Sequence, residues 1–257
     1  MKDLFSIEGK VALVTGGGRG IGLMIAQGFV EAGAKVYIAS RKKEVCEEVA
    51  ATLSEHGTCI GIGADLSTEA GIKALAEELK SREEKLDILV NNSGVTWGAP
   101  LESFPDSAWD KVLGLNLKAP FNLTRELLPL LTKAASPEDP ARIINIGSIA
   151  ADSTTPMAYS YGASKAAIHH LTKVFANQFA AQNITVNAIA PGPFPSQMMA
   201  FALDNEHMKK AIIDQVPLKR VGTAEDIAGL SIYLASRAGS YMTGNIIPLD
   251  GGSLITP

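Results

Sequence analysis

The sequence predicts an α/β fold, a single domain built on a doubly wound parallel sheet with helices on both faces, and three observations carry that expectation. Short apolar runs alternate with longer stretches of helical period along most of the 257 residues. Runs such as Leu86-Asp87-Ile88-Leu89-Val90 and Ala141-Arg142-Ile143-Ile144-Asn145-Ile146-Gly147 are nearly continuous rather than alternating, the pattern of strands buried on both faces. A glycine-rich turn, Thr15-Gly16-Gly17-Gly18-Arg19-Gly20-Ile21-Gly22, joins the first apolar run to the first helical pattern. At 46% hydrophobic the chain can bury one sizeable core, so one domain, 1–257, is expected.

The elements follow in order. A strand over 11–14 leads through the glycine turn into a helix over 21–32. The strand over 35–40 ends in Arg41-Lys42-Lys43. An amphipathic helix over 44–56 and a strand over 58–64 come next, and the chain leaves that strand through Asp65-Leu66, an acidic residue suited to cap the helix expected over 68–84. The strand over 86–90 ends in Asn91-Asn92-Ser93-Gly94, and the loop over 95–107, with Trp97, is long enough to wall a substrate pocket. A single helix is expected over 108–131, with Asn116 as a polar residue among leucines.

Residues 133–140 read as a surface loop, too short to link two domains. The strand over 141–147 delivers Ser148 at its carboxyl end, where open α/β sheets bind ligands. A helix then opens on Tyr159-Ser160-Tyr161-Gly162-Ala163-Ser164-Lys165. The strand over 183–190 runs into Pro191-Gly192-Pro193-Phe194-Pro195-Ser196, and a helical flap over about 194–222, helical from 197 to 216, is expected to cover the substrate with Phe194 and Met198. Thr223 looks like the cap of a last helix, and Pro248 marks the strand within 244–252 as an edge or a bulge.

Chemistry concentrates at the carboxyl ends of these strands. Glycines let a chain turn sharply and approach a ligand, while the unpaired N–H groups of a helix N-terminus point at a pyrophosphate, so the turn at 15–22 implies dinucleotide binding. Where an Asp or Glu at the end of the second strand would take a ribose hydroxyl and repel a 2′-phosphate, this chain has Ser40 and Arg41, with Arg19 available from the turn; the cofactor expected is NADPH/NADP+. Tyr161 and Lys165 are four apart, hence on one helical face. A cation beside a phenol favours the phenolate, so the Tyr161 pKa is expected below its usual value of about 10, which makes it usable as an acid or base. Such a pair alone is common in helices; its order after the turn, Asn92, Asn116 and Ser148 makes it specific.

The glycine spacing T-G-x-x-x-G-x-G, the Asn-Asn-Ser-Gly segment, Asn116, Ser148 and the Tyr161/Lys165 pair together resemble the short-chain dehydrogenase/reductase family, over about 9–252. The resemblance implies a Rossmann-like fold and catalysis by Asn116, Ser148, Tyr161 and Lys165, with Asn116 holding a water that relays protons to the lysine. It implies cofactor contacts from Gly16, Gly18, Arg19, Gly20, Ile21, Arg41, Asp65, Leu66, Asn92, Ser93, Gly94, Tyr161, Lys165, Pro191, Gly192 and Ser196. Asn91 reads as mainly structural. Ser93 stands where the family usually has Ala, and Ser196 where it commonly has Thr. Trp97, Tyr159, Phe194 and Met198 are expected at the substrate pocket, Tyr159 either as wall or as packing. Ile146-Gly147-Ser148, 191–196 and Met242-Thr243-Gly244 look most like the NADPH-dependent 3-oxoacyl-thioester reductases associated with rhamnolipids, implying a small carbonyl substrate carried as a thioester. A homodimer or homotetramer through the helices from Ala108 and Tyr161 is also implied. A reductase of a non-thioester carbonyl and a non-catalytic NADPH-binding protein stay open at this point.

Other classes are disfavoured. A net charge of −4 with scattered charges gives no footprint for nucleic acid. Neither a signal sequence nor an apolar run of membrane-spanning length is seen, so a cytoplasmic protein is expected. Cys46 and Cys59 lack metal or redox spacing and read as reduced packing residues. No metal is expected either, since the adjacent His169 and His170 point to different sides of their helix.

Overall fold

The computed structural model describes residues 3–196, 199 and 204–255. Its strands are β1 (Val11–Thr15), β2 (Lys35–Ser40), β3 (Thr58–Gly63), β4 (Ile88–Asn91), β5 (Ala141–Ile146), β6 (Ile184–Pro191) and β7 (Ile246–Leu249). They form one seven-stranded sheet in the order β3-β2-β1-β4-β5-β6-β7, and every pairing is parallel. The order reverses between β1 and β4, which opens a crevice at the carboxyl ends of these central strands.

Eight α-helices wrap the described sheet: α1 (Gly20–Glu31), α2 (Lys43–Leu53), α3 (Glu69–Arg82), α4 (Asp106–Leu113), α5 (Ala119–Ala134), α6 (Tyr159–Phe179), α7 (Glu206–Gln215) and α8 (Ala224–Ala235). Strand side chains alternate between faces. On β1, Val11 and Leu13 enter a core shared with Leu75 and Leu79 of α3, Leu123 and Leu127 of α5, and Phe175 and Phe179 of α6. Ala12 and Val14 enter the opposite core, with Ile25 and Phe29 of α1, Cys46 of α2, and Ile227 and Leu234 of α8. The doubly wound expectation is therefore met layer by layer. Pro248 lies in β7, an outer strand whose far edge needs no N–H donor. Both cysteines are free and buried.

The single helix expected over 108–131 is instead α4, a wide π turn over Gly114–Lys118, and α5. Here the Ala119 N–H donates to the Gly114 carbonyl five residues back, and Asn116 is buried within the turn. Its amide is held by groups far away in sequence, which local helical period does not register. The flap differs as well. Of the helix expected over 197–216, the described part is α7, begun by Asn205, whose side chain accepts from the N–H groups of His207 and Met208. Met198 lies outside the described residues. Phe194, expected in the open pocket, is 3% exposed and packs into the core, its ring filling the space above Gly222. Burying a whole phenyl ring is worth about 1.5–3 kcal/mol, and no open wall offers that.

Candidate active site

The glycine turn begins where β1 ends. Gly16 and Gly20 have φ of +67° and +54°, which suit glycine. A Cβ at Gly22 would stand 2.3 Å from Asn92 Nδ2 and 2.4 Å from the Gly16 carbonyl oxygen, so α1 can pack this closely on the turn only without a side chain. The N-terminus of α1 has no side-chain cap and no acidic residue in its first turn. Its N–H groups and positive dipole end are thus left for an anion. Arg19, in the turn, and Arg41, just after β2, are exposed, and neither guanidinium makes a hydrogen bond or ion pair among the described residues. Ser196, at the start of the flap, reaches the same turn: a Cβ on Gly20 would lie 3.5 Å from its Cβ. Donor set, shape and charge all fit a dinucleotide phosphate.

Asn92 and Asp65 work differently from their expected roles. Asn92 Nδ2 donates to the carbonyls of Thr15 (2.8 Å) and Gly16 (3.3 Å), so its amide builds the turn and does not project from it. Thr15 completes the joint: its hydroxyl donates to the Val90 carbonyl and accepts the N–H groups of Asn92 (2.9 Å) and Ser93 (3.0 Å). Asp65 does not cap α3. It accepts from the Ser67 hydroxyl and N–H, which together with Arg41 hold its pKa below the usual carboxylate value, while Thr68 caps the helix through Gly71. The Leu66 side chain is buried in the core. Asn91 is structural as expected, in a buried chain from its amide to Asn145, on to Thr172, and then to the Ile168 carbonyl.

On the other side of the crevice, β5 and α6 bring Ser148, Tyr161 and Lys165 together. Ser148 opens a short turn, Ile149–Ala151, its hydroxyl accepting from the Ala150 N–H at 3.1 Å. Tyr161 lies in the first turn of α6. Lys165 is buried one turn later, its Nζ donating to the Ile146 carbonyl at 2.8 Å and standing 5.6 Å from the Tyr161 ring centroid. Burial pulls the Lys165 pKa down to about 8. Burial also pushes the Tyr161 phenol up, while the Ser148 hydroxyl pulls it the other way. The expected lowering of the tyrosine pKa is therefore not found in this state. The ammonium lies over the ring and is engaged with a backbone carbonyl, so desolvation of the phenol wins. At neutral pH the site presents a protonated phenol, the form needed to donate a proton.

Asn116 is held just behind this cluster. Its Oδ1 accepts the Val95 N–H (2.9 Å), and its Nδ2 donates to the Val95 carbonyl (2.9 Å) and to Ser164 Oγ (3.0 Å). Ser164 in turn donates to the Tyr161 carbonyl at 2.7 Å. Both amide donors are thereby used, and the side chain ties the loop after β4 to the catalytic helix. Sequence reasoning quoted Thr15 only as the first residue of the glycine motif and gave neither it nor Ser164 a role, since small hydroxyls in a helix or a strand end give no pattern of their own. At the rim, Tyr159 packs edge-on to Phe104 (centroids 5.3 Å apart) and remains 39% exposed, while Trp97 takes the Lys111 ammonium over its ring at 5.0 Å. Gly192 closes on the Asp250 backbone, where a Cβ would come within 2.7 Å. His169 is buried and His170 exposed, as their spacing predicted.

A phosphate-ready turn facing a hydroxyl, phenol and amine across one crevice defines a dinucleotide-dependent oxidoreductase. A family profile described as Enoyl-(Acyl carrier protein) reductase matches residues 16–253. The chain belongs to the short-chain dehydrogenase/reductase family. It is 51% identical, over 98% of its length and 99% of the relative's, to the rhamnolipids biosynthesis 3-oxoacyl-acyl-carrier-protein reductase of Pseudomonas aeruginosa. It is 38% identical, over 99% and 98%, to 2-dehydro-3-deoxy-D-gluconate 5-dehydrogenase of Bacillus subtilis. Among solved structures, the Pseudomonas aeruginosa RhlG/NADP active-site complex superposes with a TM-score of 0.96 at 50% identity, covering 99% of this chain and 100% of that one.

Proposed function

We propose that the protein reduces a ketone to a secondary alcohol with NADPH, its substrate being a 3-oxoacyl thioester and its product the 3-hydroxyacyl form. The observation that carries this reading is the grouping of Ser148, Tyr161 and Lys165 at the carboxyl ends of β5 and α6's first turns, opposite the turn that fits a dinucleotide phosphate. The printed activity of the Pseudomonas aeruginosa relative supports the choice of thioester, and the NADP complex of RhlG supports the cofactor.

In this reading the nicotinamide, when bound, supplies the hydride. Tyr161 donates the proton to the substrate oxygen, and Ser148 donates a hydrogen bond to the same oxygen, an interaction whose loss costs about 10² to 10³ in turnover. Lys165 and Tyr161 hold the cofactor's ribose, and Asn116 connects the lysine to solvent. The N–H groups of Gly18, Gly20 and Ile21, with Ser196, take the pyrophosphate, while Gly16, whose own N–H is donated to the Ala39 carbonyl at 2.7 Å, lets the turn close through its positive φ. Arg19 and Arg41 take the 2′-phosphate. Asp65, Leu66, Ser93, Gly94, Pro191 and Gly192 complete the cofactor groove, and Trp97 and Tyr159 line the substrate side. A second reading, reduction of a sugar-acid carbonyl, is favoured by the gluconate-type relative.

Self-association as a homodimer or homotetramer is supported by Phe121 on α5 and Val174 on α6, 42% and 44% exposed. The free thiols of Cys46 and Cys59 support a reducing, cytoplasmic location; among the described residues no helix is long and apolar enough to cross a membrane. The deciding experiment is initial-rate NADPH consumption with a 3-oxoacyl thioester, the same ketone as a simple ester, and NADH as control. A strong preference for thioester with NADPH is expected. Equal rates on the simple ester refute the thioester assignment, and no turnover on any carbonyl refutes the catalytic reading.

A further inference from the structure

His169 takes no part in the chemistry above, yet it is built into the strand end that carries Ser148. It sits one turn beyond Lys165 on α6, is buried, and its Nε2 has no hydrogen-bond partner among the described residues. The edge of the ring lies against Gly147: a Cβ there would stand 2.1 Å from Nε2 and 2.7 Å from Cδ2. Gly147 links Ile146, whose carbonyl accepts from Lys165, to Ser148, and its own N–H is fixed on the Ile189 carbonyl at 2.7 Å. At the ring's other end, Nδ1 is 3.7 Å from Asp152 Oδ2. Asp152 closes the short turn that Ser148 opens. One imidazole thus touches both ends of the segment bearing the catalytic hydroxyl.

We propose that His169 and Asp152 clamp the segment 147–152 and thereby position Ser148 toward the substrate oxygen. His169 is a positioning residue, and the proposal rests on the role given to Ser148 above. The chemistry of the ring explains the choice of residue. An ionised carboxylate only accepts, so the neutral imidazole carries its proton on Nδ1, facing Asp152, and turns a bare Nε2 toward Gly147. Protonation would force an N–H against the Gly147 backbone. The charged groups around the ring divide: Asp152 favours the cation, while Lys165 and Lys173 on its own helix and, above all, burial oppose it. The clamp therefore rests on placement, the ring packed on Gly147 at one end and set 3.7 Å from Asp152 at the other, and not on a change of charge.

The test measures kcat, and KM for NADPH, in Asp152→Asn, His169→Gln and Ser148→Ala, singly and with each clamp variant combined with Ser148→Ala. Asp152 is largely exposed, so its variant folds whatever becomes of His169→Gln. Each clamp variant is expected to lower kcat about tenfold or more, as displacing a positioned group does, with KM for NADPH unchanged. In the Ser148→Ala background the same changes should cost nothing further, because they act through the absent hydroxyl. Wild-type kcat in Asp152→Asn, or a loss that persists in full without Ser148, overturns the clamp. Full activity in Ser148→Ala overturns the role of Ser148 itself, a distinguishable failure. Independently of turnover, an NMR titration of His169 in Asp152→Asn should move its pKa further down; an unmoved value refutes the pairing.

Discussion

Lys165→Met should make the protein more stable and leave it catalytically disabled. The side chain is buried, and its pKa falls from 10.5 to about 8 on folding. A shift of about 2.5 units corresponds to about 3 kcal/mol lost from folding at pH 7, where the unfolded chain binds the proton freely and the folded one holds it against burial. Methionine keeps the apolar stem but abandons the bond to the Ile146 carbonyl, returning about 1 kcal/mol of that gain. The net of about 2 kcal/mol raises Tm by about 4–8 °C in a domain of this size. The sign of the pH dependence is fixed. The penalty is present in full below about pH 8 and is relieved as pH climbs toward 10.5, where both states are neutral. Thermal unfolding of both proteins at pH 7 and pH 10 should show the advantage of the variant shrinking at the higher pH. A variant that melts below the wild type at pH 7, or a gap that does not narrow, would refute the reasoning. Turnover should fall by at least about 10² at the same time.

Other outcomes follow from single contacts. Tyr161→Phe should lose at least about 10² in turnover yet still show a thermal shift on adding NADPH; near-normal rates would remove the phenol from the mechanism. Arg41→Ala should cut the preference for NADPH over NADH by about tenfold, the equivalent of one charge-assisted bond of about 1.4 kcal/mol, read from the ratio of kcat/KM values. Thr15→Val leaves the N–H groups of Asn92 and Ser93 without their acceptor and should cost about 2–4 kcal/mol in denaturant unfolding, with cofactor affinity falling as the turn loosens. Arg220 grips the Asp226 carboxylate with both Nη nitrogens and holds its pKa well below the usual carboxylate range. That pair stabilises the flap base above about pH 4 and is lost as the solution is acidified further, so Asp226→Asn should flatten the acid end of the stability curve.

The layering of the fold was legible because it depends on what each residue type does alone. Continuous apolar runs such as 11–14 and the helical period of α3 report burial without reference to partners, and Gly16, Gly20 and Gly22 report a backbone requirement. The site was legible to the same extent: Ser148 at a strand end and Tyr161 four residues before Lys165 are positions that an element's geometry assigns. What escaped depends on partners far along the chain. Asn116 bonds to a backbone 21 residues away and to a serine 48 away, so the wide turn it occupies interrupts a helix whose local sequence continues smoothly. Asn92 resembles a ligand-facing amide until its bonds to residues 76 and 77 positions earlier are seen. The tyrosine pKa was misjudged for a related reason: spacing places the lysine on the same face but says nothing of which acceptor its ammonium chooses.

The reversal of strand order between β1 and β4 also sets a timetable for synthesis. Up to the end of α3 the sequence supplies β1, β2 and β3 but not β4, the strand that covers the other edge of β1. Only when β4 docks on that edge does Asn92 arrive to seize the Thr15 and Gly16 carbonyls. Ser148, Tyr161 and Lys165 are translated more than fifty residues later, at the end of β5 and the start of α6. The glycine turn is thus encoded well ahead of the reacting groups and of Ser196, which reaches back to that turn.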